Sequence, residues 1–340
     1  MQLTLISFIS IGGTIASTVS PEGVKPSIKV DDLLHFIPGL SRITDEIRCH
    51  EPLSMDSANL QPHHWIKIAK AIYEEIKDPK VDGVVIAHGT DTMMYSLAAS
   101  SFMLQNLGKP IVFTGSQIPM TEVGTDGERN LLDAFRVAAT TNLAEVVLVF
   151  NSTIFRGTRA RKMHAYALNA FTSIDQPPLG MITREIDILR NPLNKRNPQI
   201  KPTLNTSLNP SVALIKIFPG LNPTVFDALV TNGIKGIVLE AYGEGNLPIE
   251  DNSLIARLEE LGSHEIPVVV TTQCIFGKSE MLYYETGRKA YEIGCIPGFD
   301  MISEVALVKL MTALVRTTKF ADIKPYIHTP LAGEIHPPPN

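Results

Sequence analysis

Cysteine is scarce in this chain. Cys49, Cys274 and Cys295 stand far apart with no Cys-x-x-Cys pair, which excludes a disulfide framework and reads as reduced thiols in a reducing compartment. Charge of one sign is lacking too: 30 Lys and Arg against 35 Asp and Glu leave a formal net charge of −5, no platform for nucleic acid or an anionic membrane. No uninterrupted apolar run approaches the ~18 residues of a membrane span. The N-terminus carries no basic stretch, and Gly12-Gly13 break its apolar run at once, so it reads as a first strand and not a signal peptide. Metal and cofactor signatures are also missing. His63 and His64 are adjacent and face different ways on a helix, so they form no chelating pair. No Gly-x-Gly-x-x-Gly follows a strand, and no Gly-x-Ser-x-Gly elbow occurs. Gly277-Lys278-Ser279 imitates the end of a P-loop, but Thr272 stands where that motif requires glycine. These absences lead to a cytoplasmic protein acting on a small polar molecule, with no cofactor and no metal.

What is present is a chain of 340 residues, 44% hydrophobic, long enough for one large or two ordinary domains with a real core. Strand-like and helix-like segments alternate almost throughout, which argues for parallel sheets covered by helices. The expected fold class is α/β: a large N-terminal domain over 1–190 with a mainly parallel sheet flanked by helices, and a smaller C-terminal α/β domain over 211–340. Between them, 191–210 holds four prolines and several asparagines and reads as a linker. Helices are expected over Leu60–Lys77, Thr92–Asn106 and Asp126–Asn142, and the Gly333–Asn340 tail is expected to fray.

Polar clusters stand at the carboxyl ends of predicted strands, where open α/β sheets bind ligands. They are Gly12-Gly13-Thr14, His88-Gly89-Thr90-Asp91-Thr92, Thr114-Gly115-Ser116-Gln117, and Asn151 to Lys162. Brought to one edge, they offer two hydroxyls, a carboxylate and an amine, the generic layout for activating a threonine nucleophile. Three of the clusters have a plainer reading by themselves. Thr14 alone suits a turn or a helix cap, Thr90-Asp91-Thr92 suits a helix N-terminus, Lys162 amid arginines suits a solvated rim, and His88 suits a local hydrogen bond.

Taken in order, these residues resemble the bacterial L-asparaginase family. Its two signatures are matched by Ile11 to Ser17 and by Gly83 to Met93, and smaller matches follow at Met55-Asp56-Ser57, Phe113 to Gln117, Phe155 to Lys162 and Thr272-Gln273-Cys274. The pattern Arg156-Gly157…Arg161-Lys162-x-His164 is similar to the cytoplasmic type I branch. The resemblance implies hydrolysis of L-asparagine to L-aspartate and ammonia without a cofactor, with Thr14 attacking the amide carbon. Thr90, Asp91 and Lys162 would relay protons. Asp56, Ser57, Ala58 and Asp91 would hold the α-carboxylate and α-amino groups, backbone N–H groups near Thr90 would form an oxyanion hole, and backbone near Ser116 would face the leaving ammonia. A homodimer or homotetramer is implied as well. Alternatives are a broader glutaminase-asparaginase and a non-catalytic amino-acid sensor. The asparaginase-like subunit of a tRNA-dependent amidotransferase would be expected to carry a further N-terminal domain ahead of Thr14.

Departures from the family pattern are also on view. Ile11 stands where threonine is usual. No tyrosine occurs between Thr14 and Tyr73, and Val24 stands about where the family places one against its nucleophile. Either Ser17, Thr18 or Ser20 substitutes, or turnover is weak. Glu240 and Arg161 replace residues in the region that type I relatives use for allosteric asparagine binding, so allostery is not carried over. Arg156, Arg159 and Arg161 would repel the Lys162 charge if they pointed inward, while Asp91 would hold it.

Overall fold

The computed structural model describes residues 3–21, 23–317 and 319–336. The chain divides into two compact units, one running up to Thr206 and the other from Ser207 onward.

The first unit is built on an eight-stranded sheet. Its order is Ile186–Ile188, Gly180–Ile182, Thr153–Arg156, Val146–Phe150, Ile111–Thr114, Val81–Ala87, Leu5–Ser10, Glu46–His50. The last five in that order are mutually parallel, and the remaining pairings are antiparallel. Among the parallel strands the order in space is 2-1-3-4-5 by chain position. Such a sheet reverses direction between its first and third strands, and ligands bind at that switch point. Leu5–Ser10 and Val81–Ala87 are those two strands, paired through to Ser10 opposite Ala87.

Both strands are apolar on both faces because both faces are covered. Ile6, Phe8, Val85 and Ala87 join one core with Leu131, Ala134, Phe135 and Ala138 of the helix Gly127–Thr140. Leu5, Ile9, Val84 and Ile86 join the other with Ile68, Ile72 and Ile76 of the helix Pro62–Ile76. A third helix, Met93–Met103, is buried on nearly every side. It stops short of the expected Asn106, since Leu104–Gln105 turns extended and pairs antiparallel with Thr203–Leu204. Asn106 then adopts a left-handed φ of 54°, which a helix cannot accommodate.

Proline and asparagine do keep 191–210 out of helix, and its 191–206 part is fastened to the first unit. Arg196 donates to Asp82 O at 2.9 Å, Thr141 O at 3.1 Å and Ala138 O at 2.5 Å, and Asn197 N donates to Gly108 O at 2.9 Å.

The second unit carries a parallel four-stranded sheet in chain order: Val212–Lys216, Gly236–Ala241, Val268–Thr272, Ile296–Pro297. The helix Ser303–Arg316 packs on one face with Leu310 and Ala313. The tail expected to fray is anchored as far as it is described. Leu331 N and Ala332 N donate to Glu334, and His336 N donates to Asp300 at 2.9 Å; 337–340 lie outside the described residues. No described helix is long and apolar enough to cross a membrane.

Candidate active site

The site forms where backbone crosses backbone at the switch point. Gly13 has φ 78° and ψ −177°, a conformation essentially confined to glycine. A methyl group added there would lie 2.2 Å from the Cα of Gly89. The two glycines thus allow the loop after the first strand to touch the loop after the third. Thr14 and Thr90 each follow directly. The 55–58 segment joins them through Gly13 N to Met55 O at 3.0 Å and Met55 N to Ile11 O at 3.1 Å. The Gly115 loop joins through His88 N to Thr114 O at 2.9 Å.

Thr90 is buried and Lys162 reaches it from 72 residues downstream. Lys162 Nζ donates to Thr90 Oγ1 at 2.8 Å and to Asp91 Oδ1 at 2.6 Å. Lys162 sits on the short strand Ala160–Lys162, paired antiparallel with Phe171–Ser173. Arg156 does not crowd it: its guanidinium donates to Glu145 at 2.8 Å and to Gln176 at 3.2 Å.

The capping reading of Thr90-Asp91-Thr92 is not what these side chains do. The helix Met93–Met103 starts without a side-chain cap. Thr92 Oγ1 instead donates to Ser57 O at 2.7 Å, tying the third-strand loop to the 55–58 segment. There Asp56 Oδ1 accepts from Ala58 N at 2.8 Å, which orders the turn. Asp56 and Ala58 are exposed while Ser57 is buried against Gly89. Ser116 is also buried, its Oγ donating to Ile118 O at 2.7 Å.

Among the described residues the Thr14 hydroxyl has no hydrogen-bond partner. The hydroxyls considered as substitutes for the missing tyrosine are engaged elsewhere. Ser17 donates to Gly13 O at 2.8 Å, and Thr18 bonds Ser27 at 2.7 Å; the Ser20 side chain lies outside what is described. Val24 is exposed, opposite Val19 in a small hairpin.

His88 makes the local hydrogen bonds expected of it, and Asp126 and Gln117 support the site without having been given a role from sequence. His88 is fully buried, with Nδ1 2.6 Å from Gly89 O and Nε2 2.8 Å from Ser96 Oγ. A carbonyl only accepts, so Nδ1 carries the hydrogen and Ser96 donates to Nε2. Burial lowers the imidazole pKa to about 4, so it is a neutral clamp on the Gly89 peptide at neutral pH. Asp126 accepts from Gln117 N and Ile118 N at 3.0 Å and shapes the Ser116 turn. Gln117 itself contacts Thr90, Oε1 accepting its hydroxyl at 3.1 Å. Its place at a strand's carboxyl end was the only signal available for it. Among the described residues no group of three or more His, Cys, Asp or Glu could hold a metal ion.

Two family descriptions match the chain: "Asparaginase, N-terminal" over residues 5–194 and "Glutaminase/Asparaginase C-terminal domain" over 211–327. The chain is 38% identical to an L-asparaginase of Thermococcus kodakarensis, across 96% of this chain and 98% of that protein. It is 36% identical to a glutamyl-tRNA(Gln) amidotransferase subunit of Methanopyrus kandleri, across 98% of this chain and 75% of that one. The solved thermostable L-asparaginase of Thermococcus kodakarensis superposes with a TM-score of 0.90 at 36% identity, covering 98% of this chain and 99% of that one. L-asparaginase I of Vibrio cholerae gives 0.87 at 34%, again covering 98% and 99%.

Proposed function

The chain belongs to the asparaginase family, and we propose that it hydrolyses L-asparagine to L-aspartate and ammonia through a threonine acyl-enzyme. The observation that carries this is the Thr90–Lys162–Asp91 cluster set beside Thr14 by the Gly13–Gly89 contact. Thr14 is the nucleophile: its hydroxyl is unengaged among the described residues, at the switch point of the sheet. Attack by Thr14 Oγ1 on the side-chain amide carbon forms the ester, and the threonine proton leaves on the departing ammonia. Water then adds to the ester carbon, its proton returns to Thr14, and aspartate is released. Thr90, Lys162 and Asp91 carry the proton traffic, since Lys162 Nζ touches both partners at once. Backbone N–H groups at Thr90 face the oxyanion, where preorganised donors contribute most. Asp56, Ser57, Ala58 and Asp91 hold the substrate's α-groups, and the Ser116 backbone faces the leaving ammonia. We place the protein in the cytoplasm as a homodimer or homotetramer, acting without a cofactor.

Glutamine is the second amide to test, because relatives named as glutamyl-tRNA(Gln) amidotransferase subunits match the chain about as well as a named L-asparaginase does. The deciding experiment is ammonia release from L-asparagine and L-glutamine by purified protein, with Thr14→Ala and Lys162→Met as controls. Turnover that both substitutions abolish supports the mechanism. A folded protein that binds L-aspartate yet releases no ammonia would be a sensor, and the hydrolase reading would fall.

A further inference from the structure

Gln117 lies between Thr90 and the tip of the hairpin that carries Lys162, and its amide bonds to both. Oε1 accepts from the Thr90 hydroxyl at 3.1 Å, and Nε2 donates to Ala165 O and Ala167 O, each at 3.2 Å. Chemistry decides which way the amide faces: reversed, its oxygen would confront two carbonyl oxygens with no hydrogen to share. The Thr90 oxygen already accepts from Lys162 at 2.8 Å, so the hydroxyl hydrogen is aimed at Gln117. One hairpin therefore grips Thr90 twice, directly through Lys162 and indirectly through its tip.

Apolar burial anchors the tip at its C-terminal end, where Ala170 is fully buried in the core. Further out Tyr166 is 82% exposed, and Met163 and Leu168 are exposed as well, so apolar burial contributes little at the crown of the turn. Its turn is closed internally by His164 Nδ1, which accepts from Ala167 N at 3.0 Å. The Gln117 backbone, by contrast, is held independently by Asp126 at 3.0 Å.

We propose that Gln117 is a positioning residue that sets the direction of the Thr90 hydroxyl hydrogen and makes it depend on docking of the 163–170 tip. This rests on the reading of Thr90 as part of the reacting set. The docked tip holds Nε2, Nε2 fixes the amide plane, and Oε1 then holds the hydrogen. Release of the tip frees the amide to turn and the Thr90 hydrogen to point elsewhere.

The test compares wild type with Gln117→Leu, which loses both arms, and Gln117→Glu, which keeps an acceptor for Thr90 but loses both donors. Kinetics on L-asparagine are read beside hydrogen exchange of the 163–170 amides. Both variants are expected to lower kcat by about 10- to 100-fold, the scale of a misaligned reacting group. KM should stay within about threefold, because Asp56, Ser57 and Ala58 are untouched. Tip exchange should quicken in both, with the melting temperature little changed. Wild-type kcat in Gln117→Leu, or unchanged tip exchange in either variant, overturns the proposal. So does wild-type kcat in Gln117→Glu with a released tip, since the hydrogen would then not depend on docking. Should Gln117→Leu fail to fold, Gln117→Glu decides alone. Wild-type protein that releases no ammonia would sink the hydrolase reading instead, and the exchange comparison would still decide the tether.

Discussion

Lys162 and Asp91 meet at 2.6 Å with very different exposure, 12% for the lysine side chain against 64% for the aspartate. The ammonium is turned inward to Thr90 while the carboxylate faces the open side of the site. An amine so placed touches both a buried hydroxyl and a solvent-facing anion, as the proposed proton relay requires. Lys162→Met should therefore lower kcat for asparagine by about 10²- to 10⁴-fold, the usual range for a lost acid–base group. Ammonia-release kinetics measure this, and turnover within tenfold of wild type would remove Lys162 from the mechanism.

Gly13→Ala should be among the most damaging small substitutions in the first unit. The added methyl meets backbone at 2.2 Å, and the φ of 78° disfavours any side chain. Strain and overpacking together predict a loss of roughly 2–5 kcal/mol. Urea unfolding checks it: a loss below about 1 kcal/mol would show that the loops separate easily.

His88 makes stability depend on pH with a definite sign. Its folded pKa of about 4 lies below the ordinary 6.5, so between those values the unfolded chain binds the extra proton. Its contribution is complete above pH 6.5 and is lost as pH falls towards 4. From pH 7 to 4.5 this residue should account for roughly 2 kcal/mol of lost stability. Urea titrations of wild type and His88→Gln at both pH values isolate it, because other groups cancel. Equal losses in the two proteins would refute the assignment.

Within the second unit, Lys309 is fully buried against Glu334 and also donates to Ile327 O and Thr329 O at 2.7 Å. Burial lowers its pKa while Glu334 opposes that shift. Glu334→Gln should cost about 3–5 kcal/mol, as breaking a buried pair does, whereas Lys309→Met with Glu334→Leu should recover much of that loss. Urea unfolding of the three proteins decides it; a double variant worse than the single would mean the pair itself is net stabilising.

Much of the fold was legible in the chain. The apolar runs before Gly12 and Gly89 read as strands, and the helices expected over Leu60–Lys77 and Asp126–Asn142 are found at Pro62–Ile76 and Gly127–Thr140. The Thr14, Thr90, Asp91 and Lys162 clusters were visible because each follows a strand. The prolines of 191–210 forbid helix, but no local rule announces that Arg196 bonds three carbonyls far upstream. Nor could sequence show that Ser17 and Thr18 are engaged elsewhere, or that 333–336 is held through Glu334 and Asp300.

By itself, then, the sequence determined what is local: which segments are strands or helices, where backbone must turn without a side chain, and which reactive groups stand at strand ends. Only the tertiary structure decided what meets what. The 2-1-3-4-5 strand order, the Gly13–Gly89 contact, the reach of Lys162 to Thr90 and the facing of the Gln117 amide all join residues far apart in the chain. Such pairings follow from how sheets close and cores fill, which no short window of residues encodes.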